Sequence, residues 1–258
     1  MGDKSYLKSF SREEYLTHVG KLQRRMEEEG LDLLLLSSPE NIYYATGYRS
    51  WYTSSLFRPV FVFVPVKGEP GIYLRILEKT TVENTSWCPN IYCSGSPERR
   101  LGKLNAADPK DALRQFICSL DCTVKRVGLE AGDGLHYFWS LNLLKELSEE
   151  FRGQLEFCDG TRAIQRARMI KTDWETERIR TAGYVTERAI VDAFREIRAG
   201  ITTEKEIARS IASKMAAGGV DRISYLTVNS GTDKYSTFNS YATDRVVREG
   251  EIVLVDIS

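Results

Sequence analysis

Apolar residues at Tyr15, Val19, Leu22 and Met26 recur about one helical turn apart, with charged residues between them. That spacing predicts an amphipathic helix. Ser11 and Glu14 stand at its start in the spacing of a capping box, and Gly30 closes it. The following segment, LDLLLLSS, is apolar without alternation, the pattern of a strand buried on both faces as in a parallel sheet. Further strands are predicted over 59–66, 71–77 and 126–130, and helices over 109–120 and 134–149. Residues 1–160 thus read as one α/β domain.

The texture changes at Asp159-Gly160, where strands stop and a long helical stretch begins, and the domain boundary is expected there. In residues 161–258, Thr172 with Glu175 and Thr203 with Glu206 form two more capping boxes. The first precedes apolar residues at helical spacing from Ile179 to Ile197. The second opens a helix that runs through Met215 and stops at Gly218-Gly219. Strands are expected over 223–229 and 251–257, joined by a polar stretch. The chain breaks off in VLVDIS, inside what reads as a buried strand. A fragment of a longer protein is therefore expected.

Charge narrows the function classes. The 36 basic side chains balance 36 acidic ones, and both halves stay balanced, so the basic stripe of a nucleic-acid binder is absent. The longest apolar runs are far short of the ~20 residues of a membrane span. The N-terminal segment MGDKSYLKSFSREEY has no apolar core of a signal peptide. The expected compartment is the cytoplasm.

Common catalytic signatures, including a phosphate loop, a dinucleotide fingerprint and H-E-x-x-H, are missing. The stretch GLEAGDG at 128–134 reads as a strand-to-helix loop. Cysteines at 88, 93, 118, 122 and 158 make no C-x-x-C pair and are expected to be buried or incidental thiols. Cys118 and Cys122 stand one turn apart in a predicted helix. His18 and His136, the two histidines, read as packed or surface residues. Asp256 differs, because a carboxylate inside the run Ile252 to Ile257 needs hydrogen bonds, solvent or a cation; a solvated strand end and a metal ligand both fit. The upstream segment VNSGTDKYSTFNSYATDR could line a cleft beside it or be ordinary surface. Arg58 follows the aromatic residues Tyr48, Trp51, Tyr52 and Phe57. A guanidinium among ring faces suits a carboxylate or a planar group, and aromatic packing with an exposed Arg is the alternative.

These landmarks, in their order along nearly the whole chain, resemble the creatinase, prolidase and Xaa-Pro aminopeptidase family with its pita-bread catalytic fold. They are the opening helix SREEYLTHVGKLQRRMEEEGLDLLLL, the phrase SPENIYYATGY, the strand entry LFRPVFVF, the hinge RARMIKTDWETERIRTAGYVTERAI and the closing SGTDKYSTFNSYATDRVVREGEIVLVDIS. The flavour is closest to the creatinase-like branch. The resemblance implies a creatinase-like N-terminal α/β domain at 1–160 and the first part of a pita-bread α+β domain at 161–258. It implies a cytoplasmic, homodimeric hydrolase acting on a small amidino, imino-acid or Xaa-Pro substrate, as a metallopeptidase such as Xaa-Pro dipeptidase or aminopeptidase P, or as a creatinase-like amidinohydrolase. A non-catalytic binding or dimerisation module of the same fold is the alternative.

By position the resemblance carries substrate contact onto Phe57 and Arg58, and the first ligand of a centre of two divalent ions, Mn, Co or Zn, onto Asp256. This chain alone would not complete that centre. Where the family usually has a histidine, five residues before the T-D-R aspartate, this sequence has Asn239. An amide can hydrogen-bond a carbonyl oxygen, but it offers no useful proton.

Overall fold

The computed structural model describes residues 8–55, 57–95, 105–132, 139–232 and 239–258. The chain divides into two compact units, Met1–Ile170 and Lys171–Ser258.

Unit 1 is built on a six-stranded sheet. Its strands are β1 (Leu33–Leu36), β2 (Phe61–Pro65), β3 (Gly71–Arg75), β4 (Asn90–Ser94), β5 (Arg126–Leu129) and β6 (Glu156–Asp159), in the order β4-β3-β2-β1-β5-β6. β1 pairs parallel to β5, β5 to β6 and β3 to β4. β2 runs antiparallel to both β1 and β3.

The run of leucines in β1 follows directly from its place in the middle. Leu34 and Leu36 point into one core with Leu22, Met26, Ile42, Ala163, Ile164 and Ala167. Leu33 and Leu35 point into a second core with Leu113, Phe116, Leu147 and Phe151. Both faces are thus covered. The first core is supplied by α1 (Arg12–Glu29), α2 (Pro39–Thr46) and α6 (Thr161–Met169), the second by α4 (Pro109–Cys118) and α5 (Leu141–Glu150). A short α3 (Lys79–Thr85) links β3 to β4. Each fully buried leucine contributes about 2 kcal/mol of burial energy, and a one-residue slip of β1 would exchange its two faces.

The capping box of α1 forms as expected, with Glu14 N–H donating to Ser11 Oγ, Ser11 N–H to the Glu14 carboxylate, and Gly30 left-handed at the C-terminus. Three readings are corrected. The helix expected over 134–149 starts only at Leu141, capped by Ser140 Oγ, while residues 133–138, His136 among them, lie outside the described residues. Cys118 ends α4, so Cys122 is not on the same helix. Unit 1 also runs past Asp159-Gly160 to Ile170, because Ala163, Ile164 and Ala167 of α6 are buried in the first core. α2 had no place in the sequence reading. Its signals are Pro39 in the first turn and a left-handed Gly47 at its end, on a helix too short to show periodicity.

Unit 2 packs α7 (Asp173–Arg195) and α8 (Glu204–Ala217) with a two-stranded antiparallel ribbon of β7 (Leu226–Ser230) and β8 (Val253–Ile257). Both predicted capping boxes form. Ala189, Ala193, Ile207, Ile211, Met215 and Val228 make its core. No helix among the described residues is long and apolar enough to cross a membrane.

Glu130, just past β5, is buried and gathers the sheet's middle. Its carboxylate accepts hydrogen bonds from the backbone N–H and hydroxyl of Ser37, the N–H and hydroxyl of Ser38 (2.8 and 2.6 Å) and the Asn41 amide. It thereby caps the start of α2 with charge of the sign the helix dipole favours. Glu130→Ala should destabilise unit 1 by about 2–4 kcal/mol, since several buried donors lose their acceptor; a thermal melt against the wild type checks it.

Candidate functional site

In unit 2 the ribbon register places Asp256 opposite Thr227. Tyr225, just before β7, exchanges backbone hydrogen bonds with Ser258. Residues 225, 227, 256 and 258 therefore share one face of the ribbon. On that face the Tyr225 hydroxyl lies 3.0 Å from a carboxylate oxygen of Asp256 and 3.0 Å from the side-chain oxygen of Asn239. One phenol carries one proton. The charged carboxylate is the stronger acceptor, so the proton points to Asp256, and the Asn239 amide meets the phenol oxygen best with its N–H₂ turned inward. Tyr225 thus joins the two residues of unit 2 that the sequence singled out.

Behind this face lies a buried carboxylate. Glu204, at the start of α8 and fully buried, accepts hydrogen bonds from the N–H and hydroxyl of Ser230 (both 2.8 Å) and of Thr243 (3.0 and 2.6 Å). Burial pushes its carboxyl up, but the bonds from Thr243 and Ser230 outweigh burial and leave it below the usual carboxylate range. Arg245 donates to Ser230 Oγ (2.7 Å) and spans both oxygens of Glu251. Ser240 Oγ–H donates to Asn229 Oδ1 at 2.9 Å. These contacts hold the described ends of the polar segment, up to Gly231-Thr232 and from Asn239 onward, against β7. Residues 233–238 of that segment lie outside the described residues.

Among the described residues, no three His, Cys, Asp or Glu side chains gather as a metal-binding group. Asp256 stands as a single carboxylate beside two neutral groups, and a two-metal centre needs more oxygen or nitrogen ligands than that. The described residues therefore do not by themselves fit such a centre.

In unit 1, Phe57 and Arg58 sit on the segment between α2 and β2, at the end of the sheet where β1 finishes and β2 begins. They line a cleft of about 360 Å³ together with Ser37, Thr53, Phe61 and Trp139. Phe57 is 91% exposed, whereas Trp139 is buried and stacks on Phe61 at 4.5 Å between ring centroids. The Arg58 guanidinium lies over the Tyr52 ring, 4.2 Å from its centroid, a cation–π contact. The cleft lies where β1 delivers its carboxyl end, at Ser37, and β2 begins, at Phe61. The structure keeps Phe57 with Arg58 in unit 1 and Asn239 with Asp256 in unit 2.

His18 is buried and stacked on the Tyr44 ring at 4.2 Å. Cys88 and Cys93 are buried, Cys118 and Cys122 exposed; burial raises the Cys93 thiol to about 11. Sequence reasoning missed Tyr225 and Glu204. Tyr225 could have been found by pairing the two predicted strands in register. Glu204 was hidden because a glutamate in the first turn of a helix is ordinarily solvated.

Residues 18–170 match the Creatinase/Prolidase N-terminal domain, and residues 177–258 match Metallopeptidase family M24. An uncharacterized peptidase of Staphylococcus haemolyticus is 24% identical over 242 residues, covering 94% of this chain and 62% of its own length. The ectoine hydrolase of Halomonas elongata is 27% identical over 176 residues, 68% of this chain and 42% of that enzyme. The chain spans less than two thirds of the length of these relatives. Among solved structures, a prolidase from Thermococcus sibiricus superposes with a TM-score of 0.73 at 18% identity, covering 94% of this chain and 61% of that one. An X-Pro aminopeptidase from Thermotoga maritima gives 0.67 at 23% identity, covering 93% and 60%. At these identities the likeness is one of fold.

Acid should expose the charge network of unit 2. The Arg245 fork, then the Arg248 N–H, hold Glu251 down from its ordinary 4.5 to about 2. A carboxyl lowered by folding binds fewer protons in the native state, so its contribution is whole above pH 4.5 and is lost as pH falls towards 2. Glu251→Gln should melt below the wild type at neutral pH, and the gap should close across that window in a pH series of thermal melts.

Proposed function

We propose, from the premise that this chain belongs to the creatinase and prolidase family, that it forms the front portion of a hydrolase cleaving a C–N bond in a small amidino, imino-acid or Xaa-Pro substrate. The observation that carries the reading is the Tyr225 hydroxyl held between Asp256 and Asn239, on a face built by the region that matches a metallopeptidase family. In this reading Asp256 is one ligand of a divalent-metal centre, with Mn, Co or Zn as the candidate ions. The other ligands are not among the described residues. In such a centre the chemistry supplied would be polarisation of the scissile group and activation of a water, with Asp256 as one of the residues that would hold it.

The chain's own groups do the rest. Tyr225 orients the Asp256 carboxylate by occupying one of its oxygens. Asn239 offers an amide N–H to a substrate oxygen. It cannot deliver the proton that a departing nitrogen needs, so the proton comes from another group or from water. This favours a specialist with a good leaving nitrogen over a general prolidase. The ectoine hydrolase among the relatives, an enzyme named for a substrate that is not a peptide, supports the same leaning. Phe57 and Arg58 are proposed as substrate contacts, with Arg58 taking a carboxylate in a two-pronged grip. Homodimerisation and a cytoplasmic location belong to the same proposal.

Asp256→Asn should lower hydrolysis by about 100-fold or more while leaving the melting temperature near that of the wild type; undiminished turnover would remove Asp256 from the site. Binding of the substrate panel without turnover in the wild type would favour the non-catalytic module, a reading to which Asn239 lends weight. Arg58→Lys should raise KM for carboxylate-bearing substrates by about tenfold with little change in kcat, measured by steady-state kinetics.

A further inference from the structure

We propose that Glu78 is the positioning residue for Arg58, fixing through Ser50 and Tyr52 the direction in which the guanidinium faces the cleft of unit 1. The connection is continuous. Glu78 follows β3 and is buried. One of its carboxylate oxygens accepts hydrogen bonds from the fully buried Tyr48 hydroxyl and from Ser50 Oγ–H at 2.6 Å. Burial, with the Glu78 hydrogen bond second, pushes the Tyr48 phenol well up, so it stays a donor.

With its proton committed to Glu78, Ser50 Oγ has only lone pairs to offer on its other side. There it accepts the Tyr52 N–H at 3.2 Å, and the Ser50 carbonyl accepts the Thr53 N–H at 3.1 Å and the Thr53 hydroxyl at 2.7 Å. These contacts start and hold the single 3₁₀ turn Trp51–Ser54. The turn presents the Tyr52 ring, and Arg58 lies on that ring at 4.2 Å. The turn has one residue buried, Thr53, while Trp51 is 92% exposed. The anchor is therefore the carboxylate beneath the loop rather than packing within it. Neutral amide in place of that carboxylate keeps the shape but supplies a weaker acceptor and a competing donor.

The inference rests on the reading of Arg58 as a substrate contact, so its test has a readout that needs no substrate. Phenylglyoxal labelling of Arg58, followed by peptide mass mapping, reports how the guanidinium is held, with the exposed Arg162 and Arg180 as internal references. Glu78→Gln, Ser50→Ala and Tyr52→Leu should each raise the Arg58 labelling rate about three- to tenfold without moving the references. Glu78→Gln combined with Tyr52→Leu should label no faster than Tyr52→Leu alone. Full-length enzyme carrying Glu78→Gln should show the KM rise of Arg58→Lys for carboxylate-bearing substrates, with kcat retained.

Unchanged Arg58 labelling in the folded variants overturns the proposal. So does faster labelling of all three arginines together, which is the mark of general loosening. Should Glu78→Gln fail to fold, Ser50→Ala decides alone, since it leaves the Tyr48 to Glu78 bond in place. An Arg58→Lys enzyme with wild-type kinetics would refute the substrate contact, and the labelling would still decide the positioning.

Discussion

A carboxylate taken out of water must find donors to replace those it loses, and this chain meets that constraint repeatedly, past two sheet strands and at the start of one helix. Glu130 past β5 collects the donors of Ser37, Ser38 and Asn41. Glu78 past β3 collects Tyr48 and Ser50. Glu204 collects Ser230 and Thr243 in unit 2. These three carboxylates accept from hydroxyls and backbone N–H groups and, at Glu130, from the Asn41 amide. The consequence is geometric: short connecting segments are pinned by directional bonds to these carboxylates.

Those pinned segments carry the residues of functional interest. Ser37, Thr53, Ser55, Phe57 and Arg58 border the cleft of unit 1, and Thr243 with Ser230 backs the ribbon on which Asp256 and Tyr225 meet. The chemistry on view is a carboxylate, a phenol and an amide in hydrogen-bond contact, in a region belonging to a family of hydrolases. Asn239 bears most on the proposed mechanism, because an amide can hydrogen-bond but offers no titratable proton.

The parts of the fold that were legible are those with strong local signals. Three capping boxes formed where Ser11, Thr172 and Thr203 placed them, and the uniform run of β1 reported burial on both faces. The antiparallel β2 was not legible, since apolar runs carry no direction. α6 was assigned to the wrong side of the boundary because its small apolar residues Ala163 and Ala167 look like any helix until they are seen packed with Leu22 and Met26. At the candidate site, Asp256 drew notice because its charge interrupts an apolar run. Tyr225 did not, because a tyrosine in a strand is unremarked and its role comes from a partner 31 residues away. Glu78 was equally silent, for a buried carboxylate announces itself only through the donors that tertiary structure brings to it.

The central claim is that Asp256 and its neighbours belong to a metal-assisted C–N hydrolase. The most direct measurement is release of free amine from a panel of amidino, imino-acid and Xaa-Pro compounds by the protein purified from its natural source. It is made before and after chelator treatment, and again after return of manganese, cobalt or zinc. The account predicts turnover of at least one compound, lost on chelation and restored by metal. Turnover indifferent to chelation, or none at all from folded protein replenished with metal, would contradict it.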